Sequence, residues 1–355
     1  MRELILEQMD RYPGMEPQDM VKLLYQSEFG SGHMIKDEKE SARRLKEEWK
    51  EVRQNAWVPD AGIPAIEPIG GGYCRVSLAV LLEGISLDTL NRLFVLGAGQ
   101  ASGSRERFEE KLKLLSRCCR EKEVGFDPEE LDTYLAEYRE QGCPILSHSE
   151  TYHRLYHPAY RVLAASCAGY LPVFAGIDQM LVRRSEQTPI LVAVEGPCTS
   201  GKTTLAQMIS QVYDCNVFHM DHFFLRPEQR TAERLAEVGG NVDYERFGAE
   251  VLKPVKRGEP AYYRPYDCSR QCLAEEVEAP VKQLNIIEGS YSCHPSFGDC
   301  YDLRIFLTIE EEEQIRRIRE RNGERMLRRF IGEWIPKENA YFEKYRIREN
   351  ASIVC

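Results

Sequence analysis

The residues with the clearest chemical potential lie in "GPCTSGKT", Gly196–Thr203, which matches the phosphate-loop pattern G-x-x-x-x-G-K-[ST] at every fixed position. Glycines let such a loop curve tightly, so that its N–H groups point at phosphate oxygens. The apolar run before the loop predicts a strand, and the residues after it predict a helix whose positive end attracts anions. We therefore expect a nucleoside triphosphate site rather than a chance glycine-rich turn.

Individual loop residues have separate expected roles. Lys202 is placed to reach the β- and γ-phosphates, and the Thr203 hydroxyl is placed to ligate Mg²⁺. From Cys198 we expect a main-chain contact and no thiol chemistry. The full expected phosphate cradle consists of Gly196, Pro197, Cys198, Thr199, Ser200, Gly201, Lys202, Thr203 and Thr204.

Three acids follow the loop at positions where chemistry is plausible. In "NVFHMDHFF" a predicted strand ends at Asp221, and a carboxylate there can accept the proton of an attacking hydroxyl. A helix cap or a polar strand end is the alternative for this residue. Glu288 ends the apolar run "LNIIEG", and Asp243 precedes a predicted helix for which it is as easily a plain cap.

A helix that begins with acids is predicted over Glu310–Arg321, and seven arginines lie between Arg316 and Arg329. Arginine stabilises the charge that phosphoryl transfer spreads over the transferred group, so a mobile lid over the phosphates is the functional interpretation. A solvated helix face with pairs such as Glu312–Arg316 is the alternative, and some of the seven belong to it.

The second half of the chain resembles the uridine kinase and phosphoribulokinase family of P-loop kinases, from about Ile190 to the end. The motifs occur in the family's order: "GPCTSGKTT", "HMDHFF", "NVDYERF", "YYRPYD", "IIEG", and "DLRIFL" followed by "RRIRER". A GTPase is disfavoured because no N-K-x-D or D-x-x-G segment follows the loop. The single acid at the end of "LNIIEG" likewise disfavours a motor ATPase.

The resemblance implies ATP as phosphoryl donor, Mg²⁺ as metal and a sugar-type hydroxyl as acceptor. It implies Asp221 as catalytic base and Glu288 near Mg²⁺. Asp243 would contact ribose hydroxyls, and Tyr266 would lie beside the acceptor's ring, with Arg264 on the same hairpin. The lid residues would be Arg316, Arg319 and Arg325, the first at the nucleotide and the other two at the transferred group together with Lys202.

One departure weakens the case for uridine itself. The family's hairpin usually continues with an aromatic residue and a base-reading histidine. In this chain Cys268 replaces the aromatic residue, and the histidine has no counterpart. Another nucleoside, a sugar or a polyol is therefore an open alternative as acceptor.

Composition and apolar patterning place these residues in a two-domain protein. The 355 residues carry a net charge of −10, which disfavours a general nucleic-acid surface, and no run is long enough to span a membrane. The twelve cysteines are scattered, so reduced thiols in a cytoplasmic protein are expected. From residue 183 strands and helices alternate, which predicts an α/β P-loop kinase core with a parallel sheet covered by helices on both faces.

Residues 1–182 are predicted to form a mainly α-helical domain of unknown function. Glu28, His33 and the histidines 148, 153 and 157 could join in a metal site, but their spacing favours surface and capping roles. In "EPIGGGYCR" we expect a turn rather than an anion site. The chain is thus predicted to be a small-molecule kinase with a hydroxyl acceptor, the alternative being a nucleotide-dependent regulator or sensor. The sequence indicates no oligomeric state.

Overall fold

The computed structural model describes residues 1–31, 37–54, 64–99 and 103–355, and divides into two compact units. The first unit comprises Met1–Leu171 and the second Pro172–Cys355. The predicted position of His33 lies outside the described residues. None of the helices in the described ranges combines the length and apolarity that a membrane crossing requires.

Helices make up most of the first unit, as predicted. They are α1 (Arg2–Arg11), α2 (Pro17–Phe29), α3 (Glu38–Gln54), α4 (Leu87–Ala98), α5 (Arg105–Arg120), α6 (Pro128–Glu140), α7 (Glu150–Tyr156) and α8 (Ala165–Ala168), with a 3₁₀ turn at Leu78–Glu83. Ser86 and Asp127 cap α4 and α6, since each side chain accepts a backbone N–H from the first turn of its helix. The core of this unit is apolar side chains such as Ile5, Leu24 and Leu112.

The first unit also contains a sheet that the sequence analysis missed. Strands β1 (Ile66–Gly70), β2 (Tyr73–Ser77) and β3 (Tyr160–Ala164) pair antiparallel in the order β1–β2–β3. The expectation of a turn in "EPIGGGYCR" is right, because Gly70–Gly72 connects β1 to β2. The sequence pattern does not indicate these strands, because β2 carries the buried Arg75 and shows no apolar alternation.

The second unit is built on one parallel sheet. Its strands are β4 (Ile190–Glu195), β5 (Cys215–His219), β6 (Ala261–Tyr263), β7 (Tyr266–Asp267), β8 (Cys272–Leu273), β9 (Val277–Ala279), β10 (Leu284–Glu288), β11 (Leu303–Phe306) and β12 (Ile353–Val354). Five of them form an all-parallel sheet in the order β12–β11–β4–β10–β5. The other four form two small ribbons, β6 with β9 and β7 with β8. Four of the parallel strands, β4, β5, β10 and β11, were predicted from their apolar runs.

Seven helices accompany this sheet. They are α9 (Leu171–Arg183), α10 (Lys202–Val212), α11 (Ala232–Ala236), α12 (Tyr244–Phe247), α13 (Lys253–Lys256), α14 (Glu311–Arg329) and α15 (Ile335–Tyr345). Short π-helical turns join α12 to α13 and α14 to α15. Helix α14 extends beyond its predicted end at Arg321 and is kinked at Gly323. The predicted α/β P-loop kinase core is confirmed.

The β1–β2 turn yields a stability prediction, because a Cβ at Gly71 would overlap the carbonyl oxygen of Ser27 in α2. At the neighbouring Gly72, also at positive φ, an added Cβ meets nothing within 4 Å. We expect Gly72→Ala to cost about 1 kcal/mol from backbone strain alone. Gly71→Ala should cost at least about 2 kcal/mol more, since overpacking adds to that strain.

Native-state hydrogen exchange of the amides in α2 and β2 measures both costs in the full chain. Gly72→Ala is the matched control for the effect of positive φ. Equal losses of protection in the two variants would show that the Ser27 contact does not restrict the turn.

Candidate active site

The order of the parallel strands brings the predicted chemical groups to one edge of the sheet. Strand β10 lies between β4 and β5, and its last residue, Glu288, is level with Val194 on one side and His219 on the other. The phosphate loop leaves β4 at this edge, and Asp221 follows β5 at the same edge. Ligands of open α/β sheets bind at the carboxyl ends of the strands, so the topology alone places these residues around a common site.

The phosphate loop has the curvature that the sequence predicts. Thr199 and Gly201 have positive φ angles of 62° and 103°. At Gly196, where φ is 142°, a Cβ would overlap the carbonyl oxygen of Leu307, so only glycine fits at this close approach of two chain segments. The hydroxyl groups of Thr199 and Ser200 are buried without a hydrogen-bond partner. Such unpaired buried donors fit a loop built to receive phosphate oxygens.

Lys202 is held inside the loop itself. Its side chain is buried, and Nζ donates to the carbonyl oxygens of Gly196 at 2.7 Å and Pro197 at 2.8 Å. The Cys198 N–H donates to a carboxylate oxygen of Glu338 in α15 at 2.9 Å. Burial raises the pKa of the Cys198 thiol to about 12, so the thiol is neutral at pH 7. The expected main-chain role of Cys198 thus has a visible partner.

An oxygen-rich set of groups lies beside the loop and fits a divalent cation. The Thr203 hydroxyl donates to the two carboxylate oxygens of Glu288 at 3.2 and 3.3 Å. A hydroxyl and a carboxylate are the hard ligands that Mg²⁺ prefers while it keeps several waters. His219 Nδ1 lies 2.5 Å from Glu288 Oε1, and this hydrogen bond raises the pKa of His219.

Asp221 lies in a 3₁₀ turn directly after β5, with its carboxylate open to solvent at the pocket surface. Protein atoms nevertheless surround it on most sides. This partial desolvation, and then the negative charge of Glu288, raise the pKa of Asp221, while Lys202 lowers it. A carboxylate with a raised pKa beside a phosphate site is suited to accept a proton.

A second buried acid lies beneath the loop. Glu195, the last residue of β4, is 1% exposed and accepts five hydrogen bonds. The donors are the N–H groups of Gly196, Tyr291 and Cys293 and the hydroxyls of Ser292 and Tyr341, at 3.0 to 3.3 Å. Burial outweighs these donors and raises the pKa of Glu195 to about 7.

One pocket of about 1010 Å³ contains most of the predicted phosphate and metal residues. Those that line it are Cys198, Thr199, Gly201, Lys202, Thr203, Thr204, Asp221 and Glu288. Gly196, Pro197 and Ser200 form the back of the loop. Their assignment to a nucleotide stays a prediction, as do the chemical roles of the lining residues.

The arginines of α14 that line the pocket are not the three that the family resemblance implies. Arg316 pairs with Glu313 and Glu320 on the outside of α14, and Arg319 pairs with Glu324. Neither these two nor Arg325 lines the pocket, whereas Arg317, Arg321 and Arg329 do. Arg317 and Arg321 are four residues apart and share a helix face, and Arg317 donates to the Thr199 carbonyl at 3.0 Å. The helical period separates Arg316 and Arg319 from Arg317 and Arg321 once the face toward the loop is known. It does not separate Arg325, which lies beyond the kink at Gly323.

The predicted acceptor residues Asp243, Arg264 and Tyr266 do not line the pocket either. Asp243 is buried as the N-cap of α12 and accepts from Gln229 at 2.6 Å. Arg264 donates to the carbonyls of Ala274 and Leu273 and stabilises its own hairpin. Tyr266 is buried, and its hydroxyl accepts from Arg230, which does line the pocket, at 3.3 Å. Sequence reasoning missed Arg230, which no motif marked. It gave no role to Asn241, which lines the pocket and is the first residue of the motif NVDYERF.

The suggested metal site of the first unit does not form in the described ranges, where no group of three or more His, Cys, Asp or Glu side chains could hold a metal. Glu28 is instead paired with Arg107 and Lys111. His148 is buried in α7's entry loop, and His157 ends α7 in a left-handed conformation.

The second unit is an α/β fold in which the phosphate loop follows β4, the central strand of a five-stranded parallel sheet. About half of the chain matches a possible uridine kinase from Bacillus stearothermophilus, with 19% identity, coverage of 52% of this chain and 98% of that one, and a TM-score of 0.40. A D-glycerate 3-kinase from Cryptococcus neoformans matches with 16% identity, 48% and 86% coverage and a TM-score of 0.36. No protein-family model and no curated protein matches the chain.

The buried Glu195 yields a prediction for the pH dependence of stability. Its pKa is near 7 in the folded chain against 4.5 when exposed, so the folded state binds more protons between these values. The free energy of unfolding of the second unit should therefore fall as pH rises from 4.5 to 7, by about 3 kcal/mol from this residue.

Glu195→Gln removes the titration while keeping the side-chain shape. Denaturant unfolding at pH 5 and pH 7 can be followed by Trp334 fluorescence in a chain whose other two tryptophans are phenylalanine. We expect the free energy of unfolding to fall from pH 5 to pH 7 in the chain with Glu195. In the Glu195→Gln chain this fall should be absent. Identical pH slopes would assign the dependence to other groups.

Proposed function

We propose that the second unit transfers the γ-phosphoryl group of ATP to a hydroxyl of a small molecule, with a nucleoside-like compound as the first candidate acceptor. A single observation supports this most strongly. One pocket contains a phosphate loop, the Thr203–Glu288 oxygen pair and the carboxylate of Asp221. A phosphate loop alone suits any nucleotide-binding protein, but an added carboxylate suits transfer to a hydroxyl.

The residues of the chain divide the work as follows in this proposal. ATP supplies the phosphoryl group, and Mg²⁺ held at Thr203 and Glu288 supplies positive charge. The loop N–H groups and Lys202 bind the phosphates, for which Lys202 exchanges its contacts with loop carbonyls for phosphate oxygens. Asp221 orients the acceptor hydroxyl and accepts its proton.

The arginines toward the pocket are the proposed lid. Arg317, Arg321 and Arg329 line the cavity above the loop, where bidentate guanidinium contacts would stabilise the transferred charge. Helix α14 is fixed to the loop by an apolar cluster of Ile318, Leu327 and Phe330, against which Cys198 packs. Arg316, Arg319 and Arg325 would reach the site only after a rearrangement of this helix.

The acceptor side of the pocket is mixed in character. Phe224 and Leu225 offer apolar surface, while Arg230, Asn241 and Cys268 offer polar groups. The predicted residues Asp243 and Tyr266 would act from behind, the latter through its hydrogen bond with Arg230. This lining is compatible with a nucleoside, a sugar or a polyol, so the acceptor class is decided by experiment.

A panel of nucleosides, sugars, polyols and sugar acids tests the proposal in full-length protein with ATP and Mg²⁺. We expect at least one class to raise ADP release well above the rate with water. If none does while ATP binds, the alternative of a nucleotide-dependent regulator or sensor is favoured over a kinase.

With the acceptor in hand, Asp221→Asn should lower kcat by about 10²- to 10⁴-fold, because the amide cannot take the hydroxyl proton. The dissociation constant for ATP should change little. Asp214→Asn is the matched control, since Asp214 lies at the opposite end of β5, where it pairs with Lys282. Full turnover by Asp221→Asn would remove this residue from the role of base.

Glu338 is expected to oppose nucleotide binding. Its carboxylate is 6% exposed and occupies the Cys198 N–H of the phosphate loop, with the other oxygen bound to Ser290 at 2.6 Å. A buried negative charge here repels phosphates, whereas glutamine has the same shape without the charge. Glu338→Gln should therefore bind ATP about tenfold more tightly, a difference of about 1.4 kcal/mol.

Calorimetric titration with ATP measures this change. Glu343→Gln is the control, because Glu343 is an exposed acid on the same helix. If Glu338→Gln binds ATP more weakly than the native chain, Glu338 supports the shape of the loop rather than competing with phosphate.

A further inference from the structure

The first unit contains a pocket of its own, about 630 Å³ in volume, a size typical of small-molecule sites. Lys22, Gln26, His148 and Tyr160 contribute polar groups to it, and Phe94 contributes apolar surface. Every residue that lines this pocket belongs to the first unit. Nothing in the proposed kinase function uses it.

A chain of hydrogen bonds fixes the polar side of this pocket. Asp19 is fully buried and accepts from His148 Nδ1 at 2.8 Å, and His148 Nε2 lies 2.6 Å from the Tyr160 hydroxyl. Burial lowers the pKa of His148 to about 3, so the ring is neutral at pH 7. With Nδ1–H donated to Asp19, Nε2 must accept, and the Tyr160 O–H is the donor.

Asp19 is saturated by further donors that make this arrangement rigid. It accepts the N–H of Ser149 at 3.0 Å, the hydroxyl of Ser149 at 2.7 Å and the N–H of Glu16 at 3.0 Å. These bonds connect α2 to the start of α7, which is a structural role. They also hold the Tyr160 oxygen in one place at the pocket surface, as a preorganised binding site requires.

Positive charge accompanies this chain without a matching acid. Lys22 Nζ donates to the Leu146 carbonyl at 2.6 Å, and no acid in the described residues forms an ion pair with it. Burial, and then the charge of Arg75, lower the pKa of Lys22 to about 8. Three acids lie at the pocket rim. Glu40 pairs with Arg44 and Glu48 with Arg161, whereas Asp37 is exposed and accepts the N–H of Lys39.

Arg75 adds a second positive charge, buried beside the Tyr160 ring. It is 3% exposed, its guanidinium lies 4.8 Å from the centre of the Tyr160 ring, and Nε donates to Gln26 at 3.0 Å. Both terminal nitrogens are buried without a hydrogen-bond partner, and the nearest carboxylate oxygen, on Glu67, is 3.9 Å away. A buried cation that is only partly compensated favours negative charge nearby.

We propose that the first unit binds a small molecule through a carboxylate or phosphate group, which Lys22 contacts near the fixed pair of His148 and Tyr160. Lys22 has one protein acceptor and an ammonium group with three donors, so the remaining donors face the pocket. The ligand's anionic group supplies the missing counter-charge. This site does not depend on the kinase proposal, and each of the two proposals is tested separately.

Nuclear magnetic resonance of the full-length chain with ¹⁵N-labelled histidine tests the site at His148 itself. Inorganic phosphate and acetate are titrated in separate arms at constant ionic strength, with chloride as the reference anion. The Lys202→Ala background removes phosphate binding at the loop of the second unit, and a His148→Gln chain identifies the His148 signal. We expect a saturable shift of that signal with phosphate, acetate or both, and the arms identify the anionic group.

Lys22→Met should weaken the response at least tenfold, while Lys113→Met, which changes an exposed lysine of the same unit, should leave it intact. Persistence of the His148 Nδ1–H signal in Lys22→Met shows that the hydrogen-bonded chain is still folded. Should that variant unfold, Lys22→Gln takes its place. No saturable shift with either anion, or an equal shift without Lys22, overturns the proposal.

Discussion

The arrangement of the second unit depends on the burial of one carboxylate. Glu195 ends β4 at a point where the chain must turn into the phosphate loop, and it accepts bonds from three separate segments. One is the loop's first residue, another follows β10, and the last is Tyr341 in α15. A buried carboxylate without hydrogen-bond donors costs folding free energy. The folded state therefore holds these three segments together around Glu195.

This constraint explains how groups far apart in sequence form one site. The segment after β10 carries Ser290, and α15 carries Glu338, and the two are hydrogen-bonded to each other beside the loop. Because Glu195 fixes both segments, Glu338 lies within hydrogen-bond distance of the Cys198 N–H although no local sequence pattern indicates this contact. The parallel order of β4, β10 and β5 then sets Glu288 and Asp221 at the same edge.

The parts of the structure that the sequence predicts are those with a local cause. The phosphate loop follows from glycine and lysine spacing, and strands β4, β5, β10 and β11 follow from short apolar runs bounded by turns. Caps such as Asp127 are equally local. Which arginines of α14 face the pocket depends instead on how the helix is rotated against the loop, and that is set by Ile318, Leu327 and Phe330 packing on Cys198.

The missed features are all long-range. Strand β3 pairs with β2 across most of the first unit, and β2 contains a buried arginine that breaks any apolar pattern. Neither Glu195 nor Glu338 carries a motif, because every partner except Gly196 lies between 48 and 146 residues away in the sequence. A buried charge is recognisable only once its donors are known.

Both units use a buried acid as an anchor, but with opposite consequences for its charge. Hydrogen bonds from His148 and Ser149 outweigh burial and lower the pKa of Asp19, so it is ionised and keeps the His148 proton on Nδ1. At Glu195 burial prevails. The pockets differ accordingly: loop amides, Lys202 and three arginines suit a polyphosphate, whereas Lys22 beside Tyr160 suits a single anionic group. Two ligands of different charge are therefore the expectation for this chain.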